Sequence, residues 1–420
     1  MIWACFFVVP AAQGAGFQLN EFSVAAMGRA QAGEPAMMDT AAAMARNPAV
    51  IGAFTRPELN VVYHRIEPNI DVEGMVDLTV EASANDVAPA ADVPGLYYVH
   101  PFDERWSFGF SINSYYGLQT DYGRDFAGSE FAEKTSIVAY YFSPTVSWKV
   151  SDTVMLGLAV SYVYGEGELG SFATPHIENE YGMDDGTTLM TLEGNGDAFG
   201  YQLGMLWQAM PTTRIGLRYQ SRVNLHLEGD VLMFDSYHGI PIPHSGTLTI
   251  HLPDVFEVGV VHAVNDRLEL LAGAQYTGWS SFRNLTGKVD SDNVYPQGTS
   301  VLLKEQNWED VWRYSVGAEY RFSDQLSVRA GFGLDESPVP EGNRHLSIPD
   351  DDRTWYSFGA SYDFAGYGSA DVALTYLTGD KAPISEVFEP EEDGLLRTEY
   401  EGRLTSTNAW IFSVGYSYRF

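Results

Sequence analysis

The last thirteen residues of the chain, NAWIFSVGYSYRF (408–420), alternate apolar and polar side chains up to the final position. Successive side chains of a β-strand point to opposite faces, so this period of two predicts a strand with one apolar face. The same period recurs in WRYSVGAEYRF (312–322), LSVRAGFGL (326–334) and TVMLGLAVSYVY (153–164). Strands therefore organise the chain, and the predicted fold class is all-β.

The apolar faces of these strands belong either to the core of a soluble protein or to the outer surface of a membrane barrel. In a soluble sandwich the polar faces meet water and the apolar faces form a core. Here the polar faces mix Arg and Glu with many Gly and Ser, as in a polar lumen, and aromatic residues concentrate at strand ends, as in the girdles of membrane barrels. No apolar run of about 18 residues follows residue 17, so a membrane form must be a closed barrel.

The spacing of the alternating runs predicts the size of the barrel. About fourteen runs occur, and short polar turns alternate with long acidic or Gly/Pro-rich loops at 166–197, 284–309, 335–352 and 378–407. Single-chain bacterial barrels have an even number of strands with short periplasmic turns. The prediction is a 14-stranded antiparallel transmembrane β-barrel over residues 58–420. Its strands begin near residues 59, 92, 105, 137, 153, 198, 213, 247, 267, 310, 325, 353, 369 and 408.

The first 57 residues do not share that alternation. Residues 1–14 hold the only cysteine, Cys5, in a short apolar run before Ala12-Gln13-Gly14, which predicts a signal peptide that lacks a basic n-region and whose true start is open. Residues 15–57 contain two short helical segments and a break at Asn47-Pro48. Fourteen strands enclose more space than wall side chains can fill, so 15–57 is predicted to be a helical hatch (plug) in the lumen.

Charge and motifs exclude several classes of function. The formal net charge of −32 leaves no basic footprint for a nucleic acid. The sequence has no Gly-x-Ser-x-Gly and no His-Glu-x-x-His motif, so no enzyme, cofactor or metal is expected. A general porin is an alternative, although a porin has no need of the segment 15–57. The acidic loops are interpreted as a solvated surface, with binding of divalent cations among anionic lipids and a saline habitat as the alternatives.

Several blocks of sequence resemble a known family. They are GFQLNEFSVAAMGRAQAGE (16–34), RNPAVI (46–51), YYGLQTDY (115–122), GIPIP (239–243), LPDVFEV (252–258), YTGWSSF (276–282), DESPVPEGNR (335–344) and SIPDDDRTW (347–355). Together and in this order they are similar to the FadL family of outer-membrane long-chain fatty-acid transporters, whose relatives include toluene-type hydrocarbon channels. The resemblance covers essentially the whole mature chain.

The resemblance implies a passive, hatch-gated path with a lateral exit where the third barrel strand kinks inward. It assigns ligand contact to Phe17, Gln18 and Lys304, the hatch gate to Asn47, Pro48 and Ala49, and the lateral opening to Tyr116, Gly117 and Leu118. On this reading Asn47-Pro48-Ala49 faces the kink around Gly117. A second basic position is expected within GELGSFA (167–173), which has no Lys or Arg, so neutral hydrocarbons stay open as substrates beside fatty acids.

The same resemblance places the protein in the outer membrane of a Gram-negative bacterium. Its expected partners are a long-chain fatty acid or other hydrophobic small molecule, outer-membrane lipid and lipopolysaccharide, and the barrel-assembly machinery, which reads the terminal Phe420. A monomer is expected. A palmitate-sized ligand moves about fourteen methylenes from water into its site, at about 0.8 kcal/mol each. Burial of the apolar chain must therefore contribute most of the binding free energy, and the binding pocket must be mainly apolar.

Overall fold

The computed structural model describes residues 16–181, 183–235, 240–289, 298–389 and 397–420. The predicted signal peptide, 1–14, lies outside these residues. The described strands are β1 (Glu58–Val76), β2 (Val80–Glu81), β3 (Ala91–Pro101), β4 (Trp106–Asp121), β5 (Lys134–Lys149), β6 (Val154–Phe172), β7 (Thr188–Met210), β8 (Thr213–Gln220), β9 (Val223–Asp235), β10 (Ile240–Leu252), β11 (Val255–Ala263), β12 (Leu268–Thr277), β13 (Asn284–Val289), β14 (Ser300–Glu305), β15 (Val311–Arg321), β16 (Leu326–Asp335), β17 (Arg353–Asp363), β18 (Gly368–Gly379), β19 (Pro383–Phe388) and β20 (Thr398–Arg419).

The described helices are short. They are the α-helices α1 (Val24–Met27) and α2 (Pro175–Tyr181) and the 3₁₀ helices Glu34–Ala36, Ala41–Ala45, Pro48–Ala53, Trp279–Ser281 and Glu341–Asn343. None of them is long and apolar enough to cross a membrane.

Fourteen of the described strands form one closed antiparallel barrel, which confirms the predicted architecture. Each pairs with its neighbour along the wall, and β1 pairs with β20 from Glu58↔Arg419 to Val76↔Tyr400, which closes the sheet. Closure leaves neither β1 nor β20 with a free edge. The other six described strands, β2, β9, β10, β13, β14 and β19, extend the sheet at the end opposite the short turns.

One predicted strand lies elsewhere. The run that begins near 247 belongs to β10, which pairs with β9 and β13 outside the barrel wall. The wall strand is β11, which pairs with β8 and β12. Residues 247–252 do form a strand, as their alternation predicts. Alternation does not show which strand is the neighbour, however, and the turn at Pro253-Asp254 separates β10 from the wall strand β11.

The barrel is apolar outside and polar inside. Along β20, Val414 and Phe412 are about half exposed on the outer surface, whereas Ser413 and Ser417 are buried against the interior. The alternating apolar faces therefore form an outer band for lipid instead of a shared core, which excludes the soluble sandwich.

Residues 16–51 fill the lumen and are nearly all buried. Two buried cations fix this segment: Arg29 forms salt bridges with Glu34 and Asp39, and Arg46 forms one with Glu257 of the wall. The two helical segments predicted from sequence are shorter than expected. The second, 35–45, is interrupted at 37–40, because Ala and Met runs here follow wall contacts more than helix propensity.

The outer apolar band makes one prediction about stability. Val316 lies at the middle of β15 and is 56% exposed on the outer surface. Val316→Arg should lower the free energy of unfolding by about 2–4 kcal/mol, the cost of a cation at mid-bilayer depth. Denaturant unfolding in phospholipid vesicles measures this. Asp324→Arg, in a short turn, is the control and should have little effect; equal losses in both variants would contradict the orientation.

Candidate functional site

Phe17 lies at the centre of an aromatic cage. Its ring centroid is 4.7 Å from that of Trp279, 5.4 Å from Phe282, 5.6 Å from Trp308 and 6.0 Å from Tyr116. All five side chains are buried. Edge-to-face packing at these distances is favourable, so the hatch inserts one aromatic side chain into an apolar pocket built by the wall and the outer loops.

The residue before Phe17 fixes its position. Gly16 has a φ of 65°, and a Cβ on it would lie 2.5 Å from the Trp308 ring, so glycine alone fits here. The backbone N–H of Gly16 donates to Oδ2 of buried Asp350 (2.8 Å). Asp350 in turn forms a salt bridge with Arg353. This end of the hatch is therefore held by the loop between β16 and β17.

The side chain of Gln18 is hydrogen-bonded to the wall. Its Oε1 accepts hydrogen bonds from Nε2 of Gln275 (3.1 Å) and from Oγ1 of Thr277 (3.3 Å), both on β12. The predicted ligand contact through Gln18 would require this side chain to leave its partners. Within the structure Gln18 serves as an anchor of the hatch.

The hatch also adds a short strand to β4. The backbone N–H of Gly117 donates to the carbonyl of Phe17 (2.9 Å), and the N–H of Leu19 donates to the carbonyl of Tyr115 (2.8 Å). At this point the register between β4 and β5 shifts, because Ser114 pairs with Tyr140 and Tyr116 with Ala139, which leaves Tyr115 as a bulge.

The wall is open beside this bulge. The pairing of β3 with β4 ends at Leu96↔Ile112, although β4 continues to Asp121. We call the unpaired stretch between β3 and β4 the seam. Among the described residues, the next backbone hydrogen bond beyond it runs from Asp121 N–H to the carbonyl of Val87 (2.8 Å), in the segment before β3. Between these points residues 113–118 are all buried, so the alternation of outward and inward side chains is lost. This half of β4 has turned from the lipid face into the lumen.

The predicted opening residues occupy that segment. Tyr116 reaches across the lumen and donates its hydroxyl to the carbonyl of Pro253 (3.0 Å). Gly117 carries the hydrogen bond to the hatch, and Leu118 is buried in the interior apolar cluster. The structure thus brings Tyr116 and Gly117 together with Phe17. The irregularity itself lies at Tyr115, one residue before the predicted group.

The Asn47-Pro48-Ala49 turn lies elsewhere, and the expectation that it faces Gly117 is wrong. Asn47 donates from Nδ2 to the carbonyls of Pro35 (2.6 Å) and Met205 (2.9 Å). Its Oδ1 accepts from the N–H of Ala49 (2.9 Å), so Asn47 caps the following 3₁₀ helix.

Two wall glycines make room for this turn. A Cβ on Gly204 would lie 2.0 Å from Oδ1 of Asn47, and one on Gly157 would lie 2.2 Å from N of Ala49. The turn therefore packs directly on the backbone of β6 and β7. The sequence could not show this, because 41 glycines are spread over the chain and their partners are set by the closed wall.

Lys304 lies on β14, one of the six described strands outside the barrel wall. Its Nζ donates to Oε1 of Glu386 (2.6 Å), the carbonyl of Phe131 (3.0 Å) and Oγ of Ser347 (3.1 Å). Burial alone would raise the pKa of Glu386, but the charges of Lys304 and His345 hold it at about 2. Lys304 thus pairs with a carboxylate that is ionised under all ordinary conditions.

Sequence reasoning missed several residues of this site. Trp279, Phe282 and Trp308 form most of the cage, and their only sequence signal is the density of aromatic residues in WSSF (279–282) and NW (307–308). The buried group of Arg46, Arg218 and Glu257 was missed as well. These residues come from the hatch, β8 and β11, and no local pattern connects them.

A cavity of about 710 Å³ lies at the other end of the lumen, beneath the Asn47-Pro48-Ala49 helix. Hatch residues and the short turns line it, including Met38, Phe54, Asp103 and Lys149. Among the described residues no group of three or more His, Cys, Asp or Glu side chains could hold a metal ion.

Comparison with known proteins decides the family. Residues 5–420 match the family model described as outer membrane protein transport protein (OMPP1/FadL/TodX). The chain belongs to this family. It is 31% identical over 443 residues to a long-chain fatty acid transport protein of Escherichia coli O157:H7, covering 97% of this chain and 95% of that protein. The family prediction is therefore confirmed, and with it the outer-membrane location.

Solved structures agree on the fold. A FadL homologue of Pseudomonas aeruginosa superposes with a TM-score of 0.85 at 23% identity, covering 97% of this chain and 100% of that one. The Pseudomonas putida toluene transporter TodX superposes with a TM-score of 0.68 at 18% identity, covering 97% and 100%. The OMPP1/FadL/TodX family is one of transport proteins, in agreement with the prediction that this chain is not an enzyme.

The glycine contacts predict how tightly the hatch closes the lumen. Gly204→Ala places a methyl group where Asn47 now lies, so the turn must leave the wall. We expect this variant to conduct ions in planar bilayers at least about tenfold more than the wild type, because a displaced plug opens a water-filled lumen. Gly287→Ala, whose Cβ would meet side-chain atoms no closer than 3.7 Å, is the control. Equal conductance in the two variants would show that the turn does not seal the lumen.

The Lys304–Glu386 pair predicts a pH dependence of stability. The pKa of Glu386 is about 2 in the folded protein against an ordinary value of 4.5. The pair therefore stabilises fully above pH 4.5 and loses its contribution as the pH falls towards 2. The difference in melting temperature between the wild type and Glu386→Gln, followed by near-ultraviolet circular dichroism, should shrink over that range. A difference that does not change with pH would disprove the assignment.

Proposed function

We propose that the protein takes up long-chain fatty acids or other hydrophobic compounds across the outer membrane, by passive diffusion with a lateral exit through the wall. The observation that carries this proposal is the seam between β3 and β4, which is unpaired from residues 113 to 120 and lies next to the Phe17 cage. The relatives with the same architecture are a fatty-acid transport protein and a toluene transporter.

Apolar transfer explains why the exit is lateral. Moving about fourteen methylenes from water into an apolar site gains about 11 kcal/mol. A ligand in the cage would lose that free energy if it left through the aqueous end of the lumen. The seam instead opens toward the hydrocarbon region, where the ligand keeps its apolar surroundings, so flow needs only a concentration gradient.

The hatch supplies the gate. Phe17 occupies the cage, and the same segment is hydrogen-bonded to β4 at the seam through Phe17 and Leu19. A ligand that displaces Phe17 must therefore also loosen the hatch from β4. Binding in the cage and opening of the seam are coupled through three consecutive residues. In this scheme Asn47, Pro48 and Ala49 keep the lumen closed to water while the segment 17–19 moves.

A general porin is the weaker alternative. Residues 16–51 fill the lumen and are tied to the wall by buried salt bridges, which leaves no wide aqueous path at that level. A hydrocarbon channel is the nearer alternative, because an aromatic cage accepts any apolar ligand of suitable size.

The partners of the protein follow from its surface. Phe420 is 61% exposed at the end of β20, and its N–H donates to the carbonyl of Pro57 (3.0 Å). This terminal aromatic is accessible to the barrel-assembly machinery before the wall closes. The exposed apolar band meets outer-membrane lipid and lipopolysaccharide, and the closed wall has no free edge that calls for a second copy.

Deletion of Tyr115 tests both uptake and the lateral exit. Removing the bulged residue lets β4 keep its register with β5, so its second half can pair with β3 and close the seam. Gram-negative cells without their own fatty-acid transporter should take up labelled palmitate or dodecane when they express the wild type. They should take up about tenfold less with the deletion, while the purified variant still binds ligand.

The control for this experiment is Tyr115→Phe, which keeps the bulge and removes only the hydroxyl that donates to the Ala45 carbonyl (2.6 Å). Migration of unheated samples on gels checks that each barrel is folded. Uptake at the wild-type rate by the deletion variant would rule out the seam as the exit. No uptake by the wild type would rule out the function itself.

A further inference from the structure

Every buried cation in the described part of the chain forms a salt bridge with a carboxylate, although Arg46 and Arg218 share the single carboxylate of Glu257. All 24 Lys and Arg residues lie in the described part of the chain. Those buried in the lumen or under the outer loops each form a salt bridge: Arg29 with Glu34 and Asp39, Arg46 and Arg218 with Glu257, Arg313 with Asp335, Arg329 with Glu319 and Asp371, Arg344 with Asp351, Arg353 with Asp350, and Lys304 with Glu386. The remaining basic side chains are partly or fully exposed, where water screens their charge.

The ammonium group of Lys304 has a hydrogen-bond acceptor for each of its hydrogens. An ammonium group has three hydrogens to donate, and Lys304 has three acceptors within 3.1 Å. The carboxylate of Glu386 is also fixed from its other side, because Oε2 accepts from the N–H of Leu346 (2.9 Å). A ligand carboxylate could reach Lys304 only by displacing a buried anion from its cation, which is costly.

The charge of the whole chain is unfavourable for an anionic ligand. The formal net charge of the chain is −32. An anion that approaches the outer loops is therefore repelled, and the buried cations that it meets inside already pair with carboxylates.

Neutral hydrogen-bonding groups are available beside the seam instead. The hydroxyl of Tyr97, both amide atoms of Asn113 and the hydroxyl of Tyr141 are buried and have no hydrogen-bond partner in the protein. They belong to the adjacent strands β3, β4 and β5, and Asn113 is directly paired with Tyr141. The Tyr97 hydroxyl lies 2.9 Å from where a Cβ on Gly95 would be, at the point where β3 loses its pairing with β4.

Buried polar groups of this kind need partners, since each one left alone costs about 1–3 kcal/mol. An amide and two phenols can donate to or accept from a hydroxyl, an ester or a protonated carboxyl group. They offer nothing that would neutralise a full negative charge. Four such atoms at the mouth of the seam are therefore suited to the head of an uncharged ligand.

We propose that this protein selects uncharged long-chain compounds with a hydrogen-bonding head, such as alcohols or esters, and that Asn113, Tyr97 and Tyr141 receive that head at the seam. This inference rests on the proposed function, because it names the substrate class of the same path. Fatty acids then pass in their protonated form.

Three probes of equal chain length test this: 1-dodecanol, laurate and dodecane, with purified full-length protein in detergent at pH 8. Quenching of tryptophan fluorescence reports binding, since Trp279 and Trp308 line the cage. After correction for partition into micelles, dodecanol should bind about fivefold tighter than dodecane and at least about tenfold tighter than laurate.

Two variants separate the contributions. Asn113→Leu, which keeps the branched shape and removes the amide, should bring dodecanol to the affinity of dodecane and leave dodecane unchanged. Glu386→Gln frees the ammonium of Lys304 and should improve laurate binding by about tenfold, with little effect on dodecanol. The Glu386 variant keeps the test decisive if Asn113→Leu fails to fold.

The outcomes distinguish this inference from the proposed function. Laurate binding at pH 8 as tight as that of dodecanol would overturn the inference and leave hydrophobic uptake standing. Equal affinities of dodecanol and dodecane in the wild type would overturn the role of Asn113. If none of the three probes binds, the proposed function itself fails, and the inference fails with it.

Discussion

Everything in this structure depends on one constraint: in a bilayer each backbone N–H and C=O must find a partner within the protein. Pairing of β1 with β20 meets this constraint where the first and last wall strands meet, because it closes the sheet into a barrel. Closure at fourteen strands, however, creates a lumen that wall side chains cannot fill. The hatch fills that lumen. It is held there by its buried arginines, by its capped turns and by glycines of the wall that allow close packing.

At the seam between β3 and β4, backbone groups of the wall find partners in the hatch instead of in a neighbouring strand. Half of β4 has left β3, and its freed backbone groups are partly satisfied by the hatch residues Phe17 and Leu19. The opening in the wall and the plug in the lumen are thus one hydrogen-bonded unit. Each backbone bond lost without replacement costs about 1–3 kcal/mol, so the hatch and β4 must move together or exchange partners. In the function proposed above, this coupling is the gate of a passive channel.

Electrostatics adds a second layer to this arrangement. The interior contains many charged side chains, yet each buried cation is matched to a carboxylate, as Lys304 is to Glu386. These pairs give the hatch and the outer loops a defined geometry, and they also remove positive charge from the path. The polar atoms left over beside the seam, on Tyr97, Asn113 and Tyr141, are neutral. On the inference drawn above, the same side chains set both the structure of the interior and its selectivity for the ligand.

The sequence by itself determined the all-β class, the approximate size of the barrel and the face that meets lipid, because a period of two is a local property that the run ending at Phe420 displays directly. It also separated residues 15–57 from the barrel. Only the tertiary structure decided which residues meet. The strand near 247 joins an outer hairpin, Asn47 packs on Gly157 and Gly204 instead of near Gly117, and the cage needs Trp279 and Trp308 from two separate loops. Contacts of this kind depend on how a closed wall brings distant segments together, and alternation along a single strand carries no information about its distant neighbours.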